Sequence, residues 1–268
     1  YNYRAGAKFN ALFHDLIEPA GARVWGWHDD GTPAFLIHRY GKGKAIYLNS
    51  DIYNYEEMRR EGREGRLREL FRAILLHQAR VWAPFVLEHK YGHPVGHTEV
   101  TRWRDGDSLY FGLLPDYVID DKRPVEVSLR FPEKTFVYDV RKRRYLGKGN
   151  KVIFDILEPG KAKMYAALPY KITGLEAKFP KEAKLGGKVT VKFMVKGSAE
   201  TLGPHAVNVE VEYPNGKKPE YLLRTIYVPR GEGSYSFRPA LNAPKGIWKV
   251  KITECISGQM ATGEIEMK

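Results

Sequence analysis

The chain has 268 residues, of which 43% are hydrophobic and 13% aromatic, and it carries a formal net charge of +12. This length suffices for two or three compact domains with their own cores, and no apolar run approaches the ~18 residues that a membrane-spanning helix requires. The positive excess is spread along the chain (+3 in residues 1–90, +3 in residues 91–169 and +6 in residues 170–268), so no nucleic-acid partner and no membrane span are expected.

The first third of the chain combines strand patterns with helical ones. A tight turn is predicted at Gly41–Gly43, between two hydrophobic segments. So short a connection requires a positive φ, which glycine adopts readily. A later segment repeats apolar residues at helical spacing and is weakened at Gly62 and Gly65. The predicted elements are a helix at 7–16, strands at 23–27, 34–38 and 45–48, and a helix at 56–80.

From Glu99 onward the hydrophobic period changes to two, which is typical of strands with one buried face. Asp105–Asp107 is predicted as a hairpin turn, and the basic run Arg141–Arg144 as a solvated turn. Six strands predict a small sandwich, at 99–103, 108–114, 125–131, 135–139, 151–156 and 161–168. Six more predict a second one, at 188–195, 205–213, 221–228, 234–237, 247–252 and 259–266. Trp248 is expected in the core of the second sandwich.

Two stretches carry a resemblance to a known family. The run Pro33–Leu48, with Arg39-Tyr40-Gly41-Lys42-Gly43 at its turn, resembles the end of the class I glutamine-amidotransferase-like domain of multidomain glycoside hydrolases. That domain is best known as the trimerisation domain of β-galactosidases. The segments Phe136–Arg141, Tyr145–Gly147, Leu157–Gly160 and Ala166–Pro169 resemble the small β-sandwich at the end of such enzymes. The last hundred residues resemble a generic immunoglobulin-like or macroglobulin-like module.

The resemblance implies a multidomain chain: a partial α/β (flavodoxin/amidotransferase-like) unit followed by two antiparallel β-sandwich domains. The expected divisions are residues 1–88, 89–169 and 170–268. Too few strands are present for a doubly wound sheet. The rest of the same polypeptide, or another chain, would therefore complete the α/β sheet, and a homo-oligomer is implied. Because the chain opens at Tyr1 without a methionine, its numbering is expected to begin inside a longer chain or at a processed end.

Few residues are candidates for chemistry. In the resembled enzymes the catalytic carboxylates lie on a (β/α)₈ barrel that this chain lacks, so no catalytic residue and no cofactor are expected. The lone Cys255 lies far from any nucleophile elbow and excludes an internal disulfide framework. His89, His93 and His97 are spaced four apart, but the intervening glycines and proline break a helix, so a linker role is favoured over a metal site.

Carbohydrate binding by exposed aromatic residues is the remaining option. Trp103 and Tyr110 face each other across the predicted hairpin and are candidates for stacking on a sugar, with core packing as the favoured alternative.

Three functional hypotheses follow. The leading one is a non-catalytic C-terminal accessory and oligomerisation region of a larger carbohydrate-active enzyme that resembles β-galactosidases. The second is an extracellular immunoglobulin-like surface or adhesive binding module with no attached enzyme. The third is a free-standing hydrolase that uses a metal held by the segment His89–His97. An extracellular or cell-surface location is favoured over a cytoplasmic one.

Overall fold

The computed structural model describes residues 13–52, 55–61, 63–81, 85–92, 95, 98–115, 123–132 and 134–268, with no side-chain description at 59 and 60. The chain divides into two compact units, Tyr1–Ala83 and Pro84–Lys268. Strands make up 50% of the described residues and helices 9%. In this part of the chain no helix is both long and apolar enough to cross a lipid bilayer.

The first unit contains a three-stranded antiparallel sheet. Its strands follow one another in the order of the sequence, because each is joined to the next by a hairpin. Gly41 has a φ of +56°, as the predicted turn requires, so the predicted strand–turn–strand segment is confirmed. The elements are β1 (Arg23–Trp27), β2 (Pro33–Tyr40), β3 (Gly43–Leu48), α1 (Tyr55–Arg60), α2 (Gly65–Ala73) and a π-helical turn (Ile74–Gln78).

The predicted partial α/β unit is wrong. A flavodoxin-like sheet requires parallel strands joined by crossover helices, whereas β1, β2 and β3 pair antiparallel and the helices follow the sheet instead of connecting its strands. The described residues therefore show no flavodoxin-like unit, and the chain is nearly all β. Without an α/β sheet, there is no structural reason to expect a partner that completes one.

The helix predictions are only partly confirmed. The segment predicted as one helix over residues 56–80 forms α1, α2 and the π-helical turn, with its break next to Gly62, which lies outside the described residues. Leu67 is buried in α2, as the helical spacing of the apolar residues predicts, but Leu75 is half exposed. Of the helix predicted over residues 7–16, only residues 13–16 are described; they form no helix, and residues 15 and 16 lie in a turn.

The first half of the second unit is a sandwich of a three-stranded sheet (order β10-β7-β4) and a five-stranded sheet (order β5-β6-β11-β8-β9). Alternate residues of each strand point inward, and Phe111, Leu129 and Tyr165 are buried together between the sheets. The strands are β4 (Val86–His89), β5 (Thr98–Asp105), β6 (Ser108–Pro115), β7 (Val125–Arg130), β8 (Phe136–Asp139), β9 (Arg144–Lys148), β10 (Ile153–Leu157) and β11 (Lys163–Leu168).

The second half is another sandwich, of a three-stranded sheet (order β12-β14-β17) and a five-stranded sheet (order β13-β19-β18-β15-β16). Trp248 is fully buried at its centre, as predicted, and the β-sandwich character of the chain is confirmed. The strands are β12 (Ile172–Lys178), β13 (Glu182–Ala183), β14 (Val189–Gly197), β15 (His205–Glu212), β16 (Arg224–Val228), β17 (Glu232–Phe237), β18 (Gly246–Glu254) and β19 (Met260–Met267), with a 3₁₀ turn at Glu220–Leu222.

The two sandwiches share buried side chains. Tyr138, Ala166 and Leu168 belong to the first sandwich, yet they lie in the same buried apolar cluster as the core of the second. Their sheet therefore has two covered faces: one lines its own sandwich and part of the other faces the neighbouring one. This double burial explains why residues 84–268 form one compact unit.

Candidate functional site

The outer face of the sheet β5-β6-β11-β8-β9 carries a row of aromatic residues. Directly paired residues of neighbouring antiparallel strands point to the same face, and the register pairs Trp103 with Tyr110, Tyr110 with Ala166, Ala166 with Tyr138 and Tyr138 with Tyr145. We call this row, with Thr101 and Gly112 beside it, the aromatic face. Its middle and its two ends have different environments.

The second sandwich covers the middle of the aromatic face. Tyr138 is buried, and its hydroxyl oxygen accepts a hydrogen bond of 2.7 Å from the backbone N–H of Ile172. Burial raises the pKa of the Tyr138 hydroxyl to about 12. At one end of the row, the Lys171 ammonium lies 5.0 Å from the ring centre of Tyr145, which is a cation–π contact.

A fully buried polar network lies where the two sandwiches meet. Tyr170 Oη is 2.9 Å from His205 Nε2, and His205 Nδ1 is 3.0 Å from Glu254 Oε1. The backbone N–H of Gly203 donates to Tyr170 Oη at 2.9 Å. One imidazole proton on Nδ1 satisfies every partner, since His205 then donates to Glu254 and accepts from the Tyr170 hydroxyl.

Glu254 is the main acceptor of this network. Besides His205, it accepts hydrogen bonds from the backbone N–H groups of Ile256 (3.1 Å) and Ser257 (2.6 Å) and from the Ser257 hydroxyl. Burial by itself would raise the pKa of Glu254. The hydrogen bonds from His205 and Ser257 outweigh burial and bring this pKa below its ordinary value of 4.5. The carboxylate is therefore the form that the fold stabilises.

The lowered pKa predicts how stability depends on pH. A carboxylate with a lower pKa in the folded state contributes stability in full above the unfolded value of about 4.5, and this contribution is lost as the pH falls through the folded pKa. We expect the free energy of unfolding to decrease as the pH falls below about 4.5, and to decrease less in Glu254→Gln. Urea denaturation of both proteins across this range measures the difference. An identical pH slope in the variant would contradict the assignment.

The other end of the aromatic face is open. Trp103 is 52% exposed, and its six-membered ring lies over Gly112: a Cβ at that glycine would come within 3.1 Å of two ring carbons. Tyr110 is half buried against the shared core, and burial raises the pKa of its hydroxyl to about 12. The structure thus pairs Trp103 with Tyr110, as the predicted hairpin implies, but only Trp103 presents a free ring.

Of the three candidate histidines, only His89 lies in the described part of the chain. His89 lies on β4, and its ring stacks 6.3 Å from that of Tyr91. His93 and His97 lie outside the described residues. Among the residues that the structure does describe, no group of three or more histidine, cysteine or acidic side chains has a geometry that would hold a metal ion.

Comparison with known proteins gives no family. No family model matches the sequence, and no curated protein sequence matches it. A CARDB domain of the PF1109 protein from Pyrococcus furiosus is 16% identical (TM-score 0.26) over 35% of this chain and 86% of that chain. A β-glucosidase from Listeria innocua is 16% identical (0.27) over 41% of this chain, and a superoxide reductase from Ignicoccus hospitalis is 9% identical (0.28) over 36%.

These are weak structural likenesses. The match spans only 18% of the β-glucosidase and 82% of the superoxide reductase, and TM-scores this low carry no functional meaning. They show a partial likeness to a β-glucosidase and to a β-sandwich domain. Neither the amidotransferase-like nor the trimerisation-type assignment is supported by them.

Sequence reasoning missed the buried network, although the strand pattern contains a signal for it. His205 lies at every-second-residue spacing with Val207, Val209 and Val211 on β15, and all four side chains are buried. A histidine at that period must face the interior. On β18, Glu254 occupies the next position of the same spacing after the buried residues Trp248, Val250 and Ile252. A charged residue in phase with a core stripe indicates a buried polar partner, but the pattern does not say which residue that is.

Proposed function

We propose that the chain is a non-catalytic accessory region of a larger carbohydrate-active protein. The observation that carries the proposal is the buried joint between the two sandwiches, formed by Tyr138 and by the Tyr170–His205–Glu254 network. Such a joint suits a region that braces or presents neighbouring parts of a protein. The sequence between Tyr138 and Pro169 adds the resemblance to the terminal sandwich of multidomain glycoside hydrolases.

The environment of two well-partnered carboxylates, Asp155 and Glu254, supports a structural role. Asp155 on β10 accepts hydrogen bonds from Lys163 Nζ (2.9 Å) and Tyr165 Oη (2.7 Å) on β11, which belongs to the opposing sheet. Burial opposes ionisation of Asp155, but these donors prevail and lower its pKa. A glycosidase requires a carboxylic acid whose pKa is raised, so that it can protonate the leaving group. The pKa values of Asp155 and Glu254 are shifted in the opposite direction.

In this function, residues 84–268 are the region that braces or presents neighbouring parts of the protein. The division into 1–88, 89–169 and 170–268 stays a prediction, with its second and third segments acting as one body. A role of residues 1–88 in oligomerisation also stays a prediction. The alternative is a surface or adhesive binding module of immunoglobulin-like domains with no attached enzyme.

Two measurements test the proposal together. The chain produced alone is expected to release no nitrophenol from a panel of nitrophenyl glycosides, whereas the full natural polypeptide is expected to do so and to contain a barrel of roughly 250 residues or more. Intact mass and the coding sequence of the natural protein show whether such a domain exists. A natural polypeptide without an enzyme domain would overturn the proposal in favour of the adhesive module.

A further inference from the structure

Trp103 is held so that one side of its indole meets the sheet and the rest meets solvent. The ring reaches from β5 across to β6, where Gly112 lacks the side chain that would lift it away. An ordinary side chain at position 112 would collide with the ring and with Thr101 Oγ1, which would lie 2.5 Å from the new Cβ. The glycine therefore permits a low position of the ring on the sheet surface.

The surroundings of Trp103 are mixed rather than apolar. Glu99 and Thr101 precede Trp103 on the same face of β5 at intervals of about 7 Å, and the side chain of Glu99 is exposed. Thr101 Oγ1 has a contact of 3.5 Å with the carbonyl oxygen of Gly112, which is long for a hydrogen bond and leaves the hydroxyl able to accept a closer partner. The exposed apolar neighbour across the strand pair is Leu114.

This combination fits one class of ligand. A stable protein–protein interface buries about 800 Å² on each partner, more than one tryptophan and one leucine supply. A sugar ring has an apolar face of C–H groups that suits the electron-rich face of an indole. Its hydroxyls suit a carboxylate acceptor and a threonine hydroxyl. The distance of about 14 Å from Trp103 to Glu99 suits an oligosaccharide.

The hairpin that carries Trp103 is also fixed in place. Tyr227 of the second sandwich donates a hydrogen bond of 3.3 Å to Asp105 Oδ2 at the hairpin end, and Pro204 lies next to Gly106. The adjoining strand begins at the buried Ser108. A surface fixed before binding loses less conformational entropy when a ligand arrives.

We propose that Trp103, Thr101 and Glu99 form a binding platform for an oligosaccharide. This inference deepens the proposed function and rests on it for the choice of ligand class. The platform uses the open end of the aromatic face, whereas the covered middle of that face holds the two sandwiches together. The same sheet face thus serves both the joint and the ligand.

The test uses the full 268-residue chain, three sugar probes (cellohexaose, xylohexaose and a β-1,4-galacto-oligosaccharide) and oligothymidylate as a non-sugar comparison. Isothermal titration is expected to show binding of at least one probe, weakened about tenfold or more by Trp103→Ala. Gly112→Ala is expected to weaken binding as well, because the new methyl group displaces the ring. Trp27→Ala, which removes a 61% exposed tryptophan from the first unit, is the matched control and is expected to leave binding unchanged.

Each other outcome overturns the platform. These outcomes are no binding of any probe, binding that Trp103→Ala leaves intact, and binding of oligothymidylate without binding of a sugar. Denaturation midpoints confirm that every variant is folded. If the sugars fail to bind but a barrel precedes the chain in the natural polypeptide, the platform is wrong and the accessory function stands. If sugars bind through Trp103 and no enzyme domain exists, the platform stands and the accessory function is wrong.

Discussion

Glu254→Ala is expected to lower the free energy of unfolding of residues 84–268 by about 3–5 kcal/mol, as removal of one partner from a buried charged network does. The change leaves His205 Nδ1 and the backbone N–H groups of Ile256 and Ser257 without their acceptor. Buried donors without partners lose their solvation and gain nothing in return. Urea denaturation followed by circular dichroism measures the change.

The matched control lies on the neighbouring strand. Glu264 of β19 is an exposed glutamate on the same sheet, so Glu264→Ala is expected to change the free energy of unfolding by no more than about 0.5 kcal/mol. Glu254→Gln keeps one acceptor oxygen and is expected to fall between the two. A cost below about 1 kcal/mol for Glu254→Ala would show that the network does not hold the joint.

The sequence predicts most of the strands because their signal is local. Alternation along β15 identifies one buried face, and the glycine turn at Gly41 joins β2 to β3 without reference to the rest of the chain. The strand β9 (Arg144–Lys148) has no such signal. It lies at the edge of its sheet, and its first residue, Arg144, belongs to the basic run that predicts a solvated turn.

The topology of the first unit was not predictable from the same patterns. A strand followed by a helix occurs both in parallel crossover units and after an antiparallel meander. The pairing of β1 with β2 decides between these, and pairing depends on contacts between segments. The resemblance of Pro33–Leu48 to an amidotransferase-like domain favoured the wrong choice, although the two-strand glycine turn within it already indicated an antiparallel pair.

The candidate site divides in the same way. Hairpin geometry alone places Trp103 opposite Tyr110, and the structure has that register. Whether each ring is covered depends on the second sandwich, which begins about sixty residues later in the chain. The burial of Tyr110 and the exposure of Trp103 therefore depend on tertiary contacts, which the spacing of hydrophobic residues in the sequence does not predict.

Trp248→Ala is expected to cost about 3–5 kcal/mol, the range for removal of a buried aromatic side chain with its cavity left behind. Trp248 is completely buried, with its ring centre 4.4 Å from that of Tyr213 and 6.5 Å from that of Phe237. Its indole N–H donates to the carbonyl oxygen of Pro244 at 2.9 Å. The truncation therefore removes both the packing between the two sheets and a hydrogen bond to the loop before β18.

Trp103→Ala removes the same side chain from an exposed position of the same compact unit and is its control. Thermal unfolding is expected to shift on the order of 10 °C for Trp248→Ala and by clearly less for Trp103→Ala, since about half of that side chain is already exposed and no closed cavity is left behind. Trp248→Phe restores part of the packing without the N–H and is expected to recover part of the loss. Equal shifts for the two alanine variants would show that Trp248 does not form the centre of the second sandwich, and the joint built on that sandwich would lose its support.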